Sequence, residues 1–287
     1  MSGRDSGTIR CGRFTLQYAI EGEGRPVLVI GSALYYPRLF SQNLRRHLRM
    51  VFMDHRGFAP GNDCTDAGEY TLEKLTGDIE QARRDLGLGK VVILGHSGHA
   101  FMALDYARRY PQHVSHVVML NVAPDYSAAG HAAAERYLAE SVCPERKAAL
   151  AANMARLPAA MEAAPEKAFV TYCLLTGPKS WYDWTFDAAP LWDGIETNMT
   201  MFNHVWGEVF RDIDITAGLD ALDRPVFLGL GRYDYLVPPP WCWEAVRERF
   251  RDLTIRVFER SSHAPCFEEP AAFDAELLGW LDSRPAV

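Results

Sequence analysis

Short runs of apolar, mostly β-branched residues recur along the chain, and longer segments with helical spacing separate them. The runs are Val27–Ile30, Met50–Met53, Val91–Leu94, Val114–Leu120 and Val226–Leu230. Each run is apolar throughout, which is typical of a strand that is buried on both faces of a mostly parallel sheet. Strands that alternate with helices in this way predict a doubly wound α/β sheet with right-handed crossovers.

The segments beside these runs predict helices and one hairpin. Leu72–Leu86 and Phe101–Tyr110 have helical spacing, and each ends at a breaker, Gly87 and Pro111 respectively. Thr8–Glu21 alternates apolar and polar residues, which predicts an antiparallel hairpin at the start of the sheet.

The strand–helix rhythm breaks between residues 125 and 216, where no β-rich run occurs. Helices are predicted at His131–Glu140, Pro144–Leu157 and Glu162–Leu175, and an aromatic-rich stretch follows them. We predict one folding unit in which residues 1–124 and 217–287 form the core and residues 125–216 form a helical cap. The cap would cover the carboxyl edge of the sheet, where open α/β sheets bind ligands. Its aromatic residues either line an apolar pocket or only hold the cap on the core.

Composition limits the partners and the compartment that we expect. The 37 acidic residues outnumber the 30 Lys and Arg residues, so a phosphate-binding surface for nucleic acid is not expected. Six cysteines lie far apart without a C-x-x-C pair, and no long apolar segment suggests a signal peptide or a membrane span. We expect a cytoplasmic protein with reduced thiols. No cofactor is expected, and no metal, because the histidines and carboxylates lack spacing such as H-E-x-x-H.

The strongest chemical signal is the buried strand Val91–Leu94, which runs directly into Gly95-His96-Ser97-Gly98 and then a helix. A sharp turn from strand to helix exposes a serine hydroxyl in the nucleophile-elbow motif, and it needs small neighbours because the backbone is crowded. His99 stands where the motif usually has its second glycine. We predict that Ser97 is a nucleophile; an accidental Gly-x-Ser turn is the alternative.

A serine hydroxyl is a weak nucleophile until a base takes its proton. His263 is the predicted base, because it lies in a loop between the predicted strand Thr254–Phe258 and a helix that Pro270 opens. This position fits the chain order Ser, acid, His. The histidines at positions 47, 113, 116 and 131 are predicted to lie at the surface or at helix ends.

The acid is expected after the strand that precedes the base. Asp234 follows Val226–Leu230, so its carboxylate can accept the second ring N–H of His263 and fix the tautomer. Asp125, just beyond Val114–Leu120, is the alternative acid.

The developing oxyanion needs two backbone N–H donors in fixed positions. Gly98, directly after the nucleophile, is predicted to supply one of them. The loop after Val27–Ile30 is predicted to supply the other from Ser32, with Ala33 as the alternative.

These motifs resemble those of α/β-hydrolases. They are Gly95-His96-Ser97-Gly98, Asp54-His55-Arg56-Gly57, Gly231-x-x-Asp234 and Ser262-His263-x-Pro265. The resemblance extends over nearly the whole chain, and within the superfamily the chain is most similar to the proline iminopeptidase-like branch. It implies the α/β-hydrolase fold, a mostly parallel sheet flanked by helices with a helical cap insertion, and a Ser-His-Asp triad.

The resemblance also suggests substrate-binding residues. In aminopeptidases of that branch, a cap Glu and an acidic residue directly after the triad Asp bind the free amino terminus of the substrate. Glu208 matches the first by position, whereas Tyr235 stands where the second would be. A lone carboxylate offsets the desolvation of an ammonium group poorly, so peptidase activity is implied less well than the fold. Trp206 and Tyr35 are further candidates for contact with the substrate.

The leading hypothesis is hydrolysis of an ester, lactone or amide through an acyl-Ser97 intermediate, with His263 as base and then as acid. The expected partner is a small-molecule or short peptide-like substrate, without nucleic acid or membrane, and the oligomeric state is left open. Three alternatives stay open: an iminopeptidase-type aminopeptidase, a carbon–carbon hydrolase with the same triad, and a non-hydrolytic ligand-binding protein on the same fold.

Overall fold

Eight strands form a single sheet in the computed structural model, which describes residues 5–211 and 213–284. The strands are β1 (Asp5–Cys11), β2 (Phe14–Glu21), β3 (Arg25–Gly31), β4 (Leu48–Asp54), β5 (Val91–His96), β6 (Val114–Leu120), β7 (Val226–Gly231) and β8 (Leu253–Phe258). Their order across the sheet is β1-β2-β4-β3-β5-β6-β7-β8. β2 is antiparallel to both of its neighbours, and β3 to β8 run parallel. The predicted hairpin and mostly parallel sheet are confirmed.

Helices connect the strands and extend beyond the last one. They are α1 (Tyr36–Leu39), α2 (Leu72–Asp85), α3 (His99–Arg109), α4 (Ala128–Glu140), α5 (Pro144–Ala163), α6 (Ala168–Leu175), α7 (Gly177–Ser180), α8 (Met199–His204), α9 (Pro265–Glu268) and α10 (Pro270–Asp282). The prediction of a helix over Glu162–Leu175 is wrong in its first half. Glu162 still belongs to α5, and Pro165 opens a separate 3-10 turn because the residue before a proline is disfavoured in the helical conformation.

Side chains along the central strands alternate between two apolar clusters, one on each face of the sheet. Leu28 and Ile30 belong to the cluster that contains Phe101 of α3, whereas Val27 and Val29 belong to the cluster that contains α10. Helices therefore cover both faces, which explains why the strand sequences are apolar throughout instead of alternating.

The buried interior also holds a histidine that the sequence prediction placed elsewhere. His116 was predicted at the surface or at a helix end, and this prediction is wrong, because the residue is fully buried in β6. Its ring packs edge-on against Trp280, and its Nε2–H donates to the carbonyl oxygen of Arg284 at 2.8 Å. Burial lowers the pKa of His116, so the ring is neutral and its burial carries no uncompensated charge.

The sheet changes direction of winding at β3, which pairs with β4 on one side and β5 on the other. Loops at the carboxyl edge around this switch point carry Ser32, Ser97, Asp234 and His263. Helices α4 to α8 connect β6 to β7 and lie within residues 125–216, the segment predicted as a cap; its assignment as a cap stays a prediction. Residues 1–4, 212 and 285–287 of the predicted core and cap lie outside the described residues.

No helix in the described ranges, residues 5–211 and 213–284, combines the length and the apolar character that crossing a bilayer requires.

Two glycines provide a matched test of how closely the loop that carries His263 packs on β7. A Cβ added to Gly231 would lie 1.7 Å from the carbonyl oxygen of Ser262, whereas a Cβ added to Gly279 in α10 would meet nothing within 4 Å. We expect Gly231→Ala to lower the free energy of unfolding by about 1–3 kcal/mol or more, since a backbone atom must move. We expect Gly279→Ala to raise it by about 0.5–1 kcal/mol. Urea denaturation of both variants measures the difference, and equal effects would contradict the close packing.

Candidate active site

Ser97 occupies the sharp turn between β5 and α3. Its φ angle is +55°, a left-handed conformation that strains a residue with a side chain. The Ser97 N–H donates to the carbonyl oxygen of Leu120 at 2.7 Å, which ties the turn to β6. Gly95 is required beside it, because an added Cβ would lie 2.2 Å from the carbonyl oxygen of His99. The predicted strand, sharp turn and helix are present, and Ser97 lines a cavity.

His263 and Asp234 lie next to each other in the loops after β8 and β7. The Nδ1–H of His263 donates to Oδ2 of Asp234 at 2.7 Å, and the aspartate is 2% exposed. This bond leaves Nε2 as the ring nitrogen available to the cavity that His263 shares with Ser97. Asp125, the alternative acid, is exposed and accepts the N–H of Ser127 instead.

The hydroxyl of Ser97 and the ring of His263 line the same cavity, but within the described residues no hydrogen bond joins them. Hydrogen bonds of this kind are often long in ligand-free enzymes and shorten in the substrate complex.

The two amides predicted to bind an oxyanion are not engaged elsewhere. The backbone N–H groups of Ser32 and Gly98 donate to no other described residue. The N–H of Ala33, the alternative donor, is occupied, because it donates to Oδ1 of Asp54 at 2.7 Å. The Ser32 hydroxyl accepts the N–H groups of the two residues after Ala33, which closes the loop.

Asp54, at the end of β4, anchors this loop. Its two carboxylate oxygens accept the N–H of Ala33 and, at 3.2 Å, the N–H of Gln17. Burial raises the pKa of Asp54 to about 7, against the lowering effect of these two donors. The sequence analysis named Asp54 only as part of a family motif, and the structure adds its contact with the predicted oxyanion loop.

Asn121 is a supporting residue that sequence reasoning missed. It directly follows β6, is fully buried and has a φ of +48°, a conformation that asparagine tolerates better than most residues. Its Nδ2 group donates to Oδ2 of Asp234 and to the carbonyl oxygen of Ser262, both at 2.8 Å. One amide therefore holds both the predicted acid and the residue before His263. An asparagine directly after a buried parallel strand was the available signal.

A cavity of about 700 Å³ opens above Ser97. Eleven of its 33 lining residues are Phe, Tyr or Trp, and Tyr35 and Trp206, the predicted substrate contacts, are among them. Trp181 and Trp192 also contribute, so tryptophans of the connection between β6 and β7 line the cavity as well as packing on the core. The indole of Trp206 lies against the nucleophile turn itself, since a Cβ on Gly98 would be 2.5 Å from its Nε1.

Two of the predicted substrate-binding residues lie away from this cavity. The Glu208 side chain is 64% exposed and pairs with His204, because the π-helical turn Val205–Val209 turns Trp206 towards the cavity and Glu208 towards solvent. The Tyr235 ring is buried against Tyr137 and Leu138 rather than in the cavity wall. The structure therefore brings neither side chain into the wall of this cavity, and substrate contact by either residue stays a prediction.

The charged side chains of the cavity wall are few. Among the described residues that line the cavity, Glu135 carries the one carboxylate, and Lys179 neutralises it across 2.6 Å. Over the same described residues, no group of three or more His, Cys, Asp or Glu side chains is arranged to hold a metal ion. Arg211 is the second cation among the same lining residues, so this wall offers no unpaired carboxylate to a cationic ligand.

Replacement of Asn121 tests its support of Asp234. Asn121→Gly keeps the left-handed backbone free of strain but removes both side-chain hydrogen bonds. We expect kcat towards an aryl ester to fall by roughly 10- to 100-fold, the equivalent of a lost hydrogen bond to a charged group at about 1.5–3 kcal/mol. Steady-state kinetics measure this, with Asn203→Gly as a control elsewhere on the cavity wall that should change KM more than kcat. Unchanged kcat in Asn121→Gly would mean that Asp234 is held without it.

Comparison with known proteins agrees with this architecture. A family model described as the alpha/beta hydrolase fold matches residues 24–270. The AB hydrolase superfamily protein YclE of Bacillus subtilis is 45% identical over 269 residues, which cover 94% of this chain and 96% of that protein. The proline iminopeptidase structure from Mycobacterium smegmatis superposes with a TM-score of 0.74 at 18% identity, covering 98% of each chain. An esterase from Exiguobacterium antarcticum gives 0.67 at 18% identity over 96% of this chain and 98% of its own. The chain belongs to the α/β-hydrolase superfamily.

Proposed function

We propose that this protein is a serine hydrolase that cleaves an ester, lactone or amide of an apolar small molecule through an acyl-Ser97 intermediate. One observation carries the proposal: Ser97, on a strained strand-to-helix turn, lines the same cavity as a histidine whose Nδ1 is bonded to a buried carboxylate. Membership of the superfamily supports a hydrolase in general terms.

In the proposed reaction, Ser97, His263 and Asp234 act in both steps, the formation of the acyl-serine and its hydrolysis. Nε2 of His263 takes the proton of the Ser97 hydroxyl as its oxygen attacks the substrate carbonyl carbon. The N–H groups of Ser32 and Gly98 stabilise the oxyanion, and Asp234 stabilises the imidazolium. His263 then protonates the leaving alcohol or amine. In the second step the same ring takes a proton from a water molecule, whose oxygen attacks the acyl carbon. The bond to Ser97 breaks, the carboxylic acid leaves, and His263 returns the proton to the Ser97 oxygen.

The cavity wall supports an uncharged substrate over one with a free amino terminus. An aminopeptidase needs carboxylates that receive the substrate ammonium group, and burying an unpaired ammonium costs several kcal/mol. Glu208 faces solvent, Tyr235 packs in the core, and Glu135 is already neutralised by Lys179. The aromatic side chains of the wall, 11 of its 33 lining residues, suit the acyl or alcohol portion of an apolar ester.

Ser97→Ala tests the nucleophile. We expect kcat for a p-nitrophenyl ester to fall by about 10³-fold or more, because the acyl intermediate can no longer form. Labelling of the folded protein by a fluorophosphonate should be lost at the same time. Glu208→Gln is the control, since its side chain lies outside the cavity, and it should keep both activity and labelling. Labelling that persists in Ser97→Ala would assign the nucleophile elsewhere, and a wild-type protein that never labels would favour a ligand-binding role.

A pair of substrates that differ by one ammonium group tests the substrate class. We compare the p-nitrophenyl esters of 3-phenylpropanoic acid and of phenylalanine, which share their acyl skeleton. We expect kcat/KM to be at least about tenfold lower for the phenylalanine ester, because its ammonium group would be desolvated without a partner. The reverse order, together with loss of turnover when the amine is acetylated, would identify an aminopeptidase.

A further inference from the structure

Three buried histidines and one buried tyrosine surround the nucleophile turn, and the proposed reaction does not use any of them. Tyr36 opens α1, His55 follows β4, His96 ends β5 and His99 opens α3. All four are between 2% and 6% exposed. Their polar atoms form a continuous series of contacts: His55 Nε2 to His99 Nε2 at 3.0 Å, His99 Nδ1 to Tyr36 Oη at 2.8 Å, Tyr36 Oη to His96 Nδ1 at 3.3 Å, and His96 Nε2 to the His263 carbonyl oxygen at 2.6 Å.

The direction of these hydrogen bonds can be worked out from the end at His263. A carbonyl oxygen only accepts, so His96 must carry its proton on Nε2. Burial lowers the pKa of His96 well below its usual value, so the ring is neutral and its Nδ1 is an acceptor. The Tyr36 hydroxyl is the group that can donate to that Nδ1, and its oxygen keeps a lone pair free to accept.

The same direction of hydrogen-bond donation follows independently from the end of the series at Gly57 and His55. The N–H of Gly57 donates to Nδ1 of His55 at 2.9 Å, so a neutral His55 carries its proton on Nε2. Nε2 of His99 must therefore accept from His55, which leaves the His99 proton on Nδ1. That Nδ1–H points to the Tyr36 oxygen, with the carbonyl oxygen of His96 as a second acceptor at 3.2 Å. The Tyr36 hydroxyl therefore accepts from His99 and donates to His96, so each hydrogen bond of the series has one donor and one acceptor.

Both assignments require neutral imidazole rings, and burial is the physical cause of that neutrality. Burial lowers the pKa of His55 well below its usual value and that of His99 to about 3. A proton added to Nε2 of His99 would face the Nε2–H of His55 across 3.0 Å, and a proton added to Nδ1 of His55 would face the N–H of Gly57 across 2.9 Å. Every hydrogen bond of the series therefore donates in the same direction, from the Gly57 amide towards the His263 carbonyl oxygen.

We propose that His55, His99, Tyr36 and His96 act as one relay of positioning residues, which holds the backbone of His263 and so sets its ring against Ser97. The inference rests on the proposed role of His263 as base. It also assigns a role to His99, which stands at the position of the usual elbow glycine. Its ring contacts His55 in the loop after β4 and, through Tyr36 and His96, connects that loop to the loop after β8. His96 is the member that acts directly, since its ring also packs 4.8 Å from the ring of His263.

The tautomers can be measured without any assay of activity. In protein labelled with ¹⁵N-histidine, two-bond ¹H–¹⁵N correlation spectra at neutral pH distinguish the Nδ1–H, Nε2–H and charged forms of each ring. We expect Nε2–H for His55 and His96 and Nδ1–H for His99, with single-site variants supplying the assignments. A charged ring, or Nε2–H on His99, would overturn the relay while leaving the proposed hydrolase untouched.

Kinetics test whether the relay positions the base. Tyr36→Phe removes the hydroxyl and keeps the ring, and His96→Leu removes the contact with the His263 carbonyl. We expect each to lower kcat and the rate of fluorophosphonate labelling by about tenfold or more, with KM changed less than about threefold. Tyr110→Phe, the same chemical change outside the cavity, is the control and should keep wild-type kcat.

Rescue and non-additivity separate a relay from a general structural role. His96→Gln places an amide N–H where Nε2–H was, so it should recover most of the kcat lost in His96→Leu. Tyr36→Phe should have no further effect in the His96→Leu background, because the hydroxyl acts only through His96. The proposal would be overturned if the losses of kcat in Tyr36→Phe and His96→Leu multiplied in the double variant, or if His96→Gln were as inactive as His96→Leu. If Tyr36→Phe fails to fold, the comparison of His96→Gln with His96→Leu decides alone.

Discussion

The left-handed backbone of Ser97 is the constraint on which the rest of the site depends. A residue with a side chain is strained there, and the surroundings must hold it in place. The bond from its N–H to Leu120 uses the neighbouring strand, and the close approach of the His99 carbonyl leaves room only for glycine at position 95. The buried parallel sheet supplies this rigidity, because both strands involved are fully covered.

A second constraint is the burial of a carboxylate next to the predicted base. Three donors reach Asp234: the Nδ1–H of His263 and the amide of Asn121 on Oδ2, and the N–H of Leu236 on Oδ1. These hydrogen bonds offset the desolvation of the charge, which would otherwise disfavour folding by several kcal/mol. The same set of bonds ties the loops after β6, β7 and β8 together, so the geometry of the base follows from satisfying one buried charge.

The sequence predicted best what depends on local pattern. Apolar runs identified the strands because helices cover both faces of the sheet. Chain order placed Asp234 and His263 in loops at one edge of the sheet, where the two side chains are in contact; their roles as acid and base stay predictions. The helix predicted over residues 162–175 is wrong in its first half, because Pro165 opens a separate 3-10 turn within an otherwise helical pattern. The directions of the Glu208 and Tyr235 side chains could not be predicted from motif position, because the direction of a side chain within a π-helical turn or a loop depends on packing between distant segments.

The connection between β6 and β7 contributes aromatic walls to the cavity and also holds the loops after β7 and β8, because the N–H groups of Tyr235 and His263 donate to the carbonyl oxygens of Lys179 and Ser180. Lys179 and Ser180 thus line the cavity and at the same time fix the loops that carry the proposed acid and base. On the proposed function, substitutions around residues 177–180 would therefore change substrate preference and turnover together.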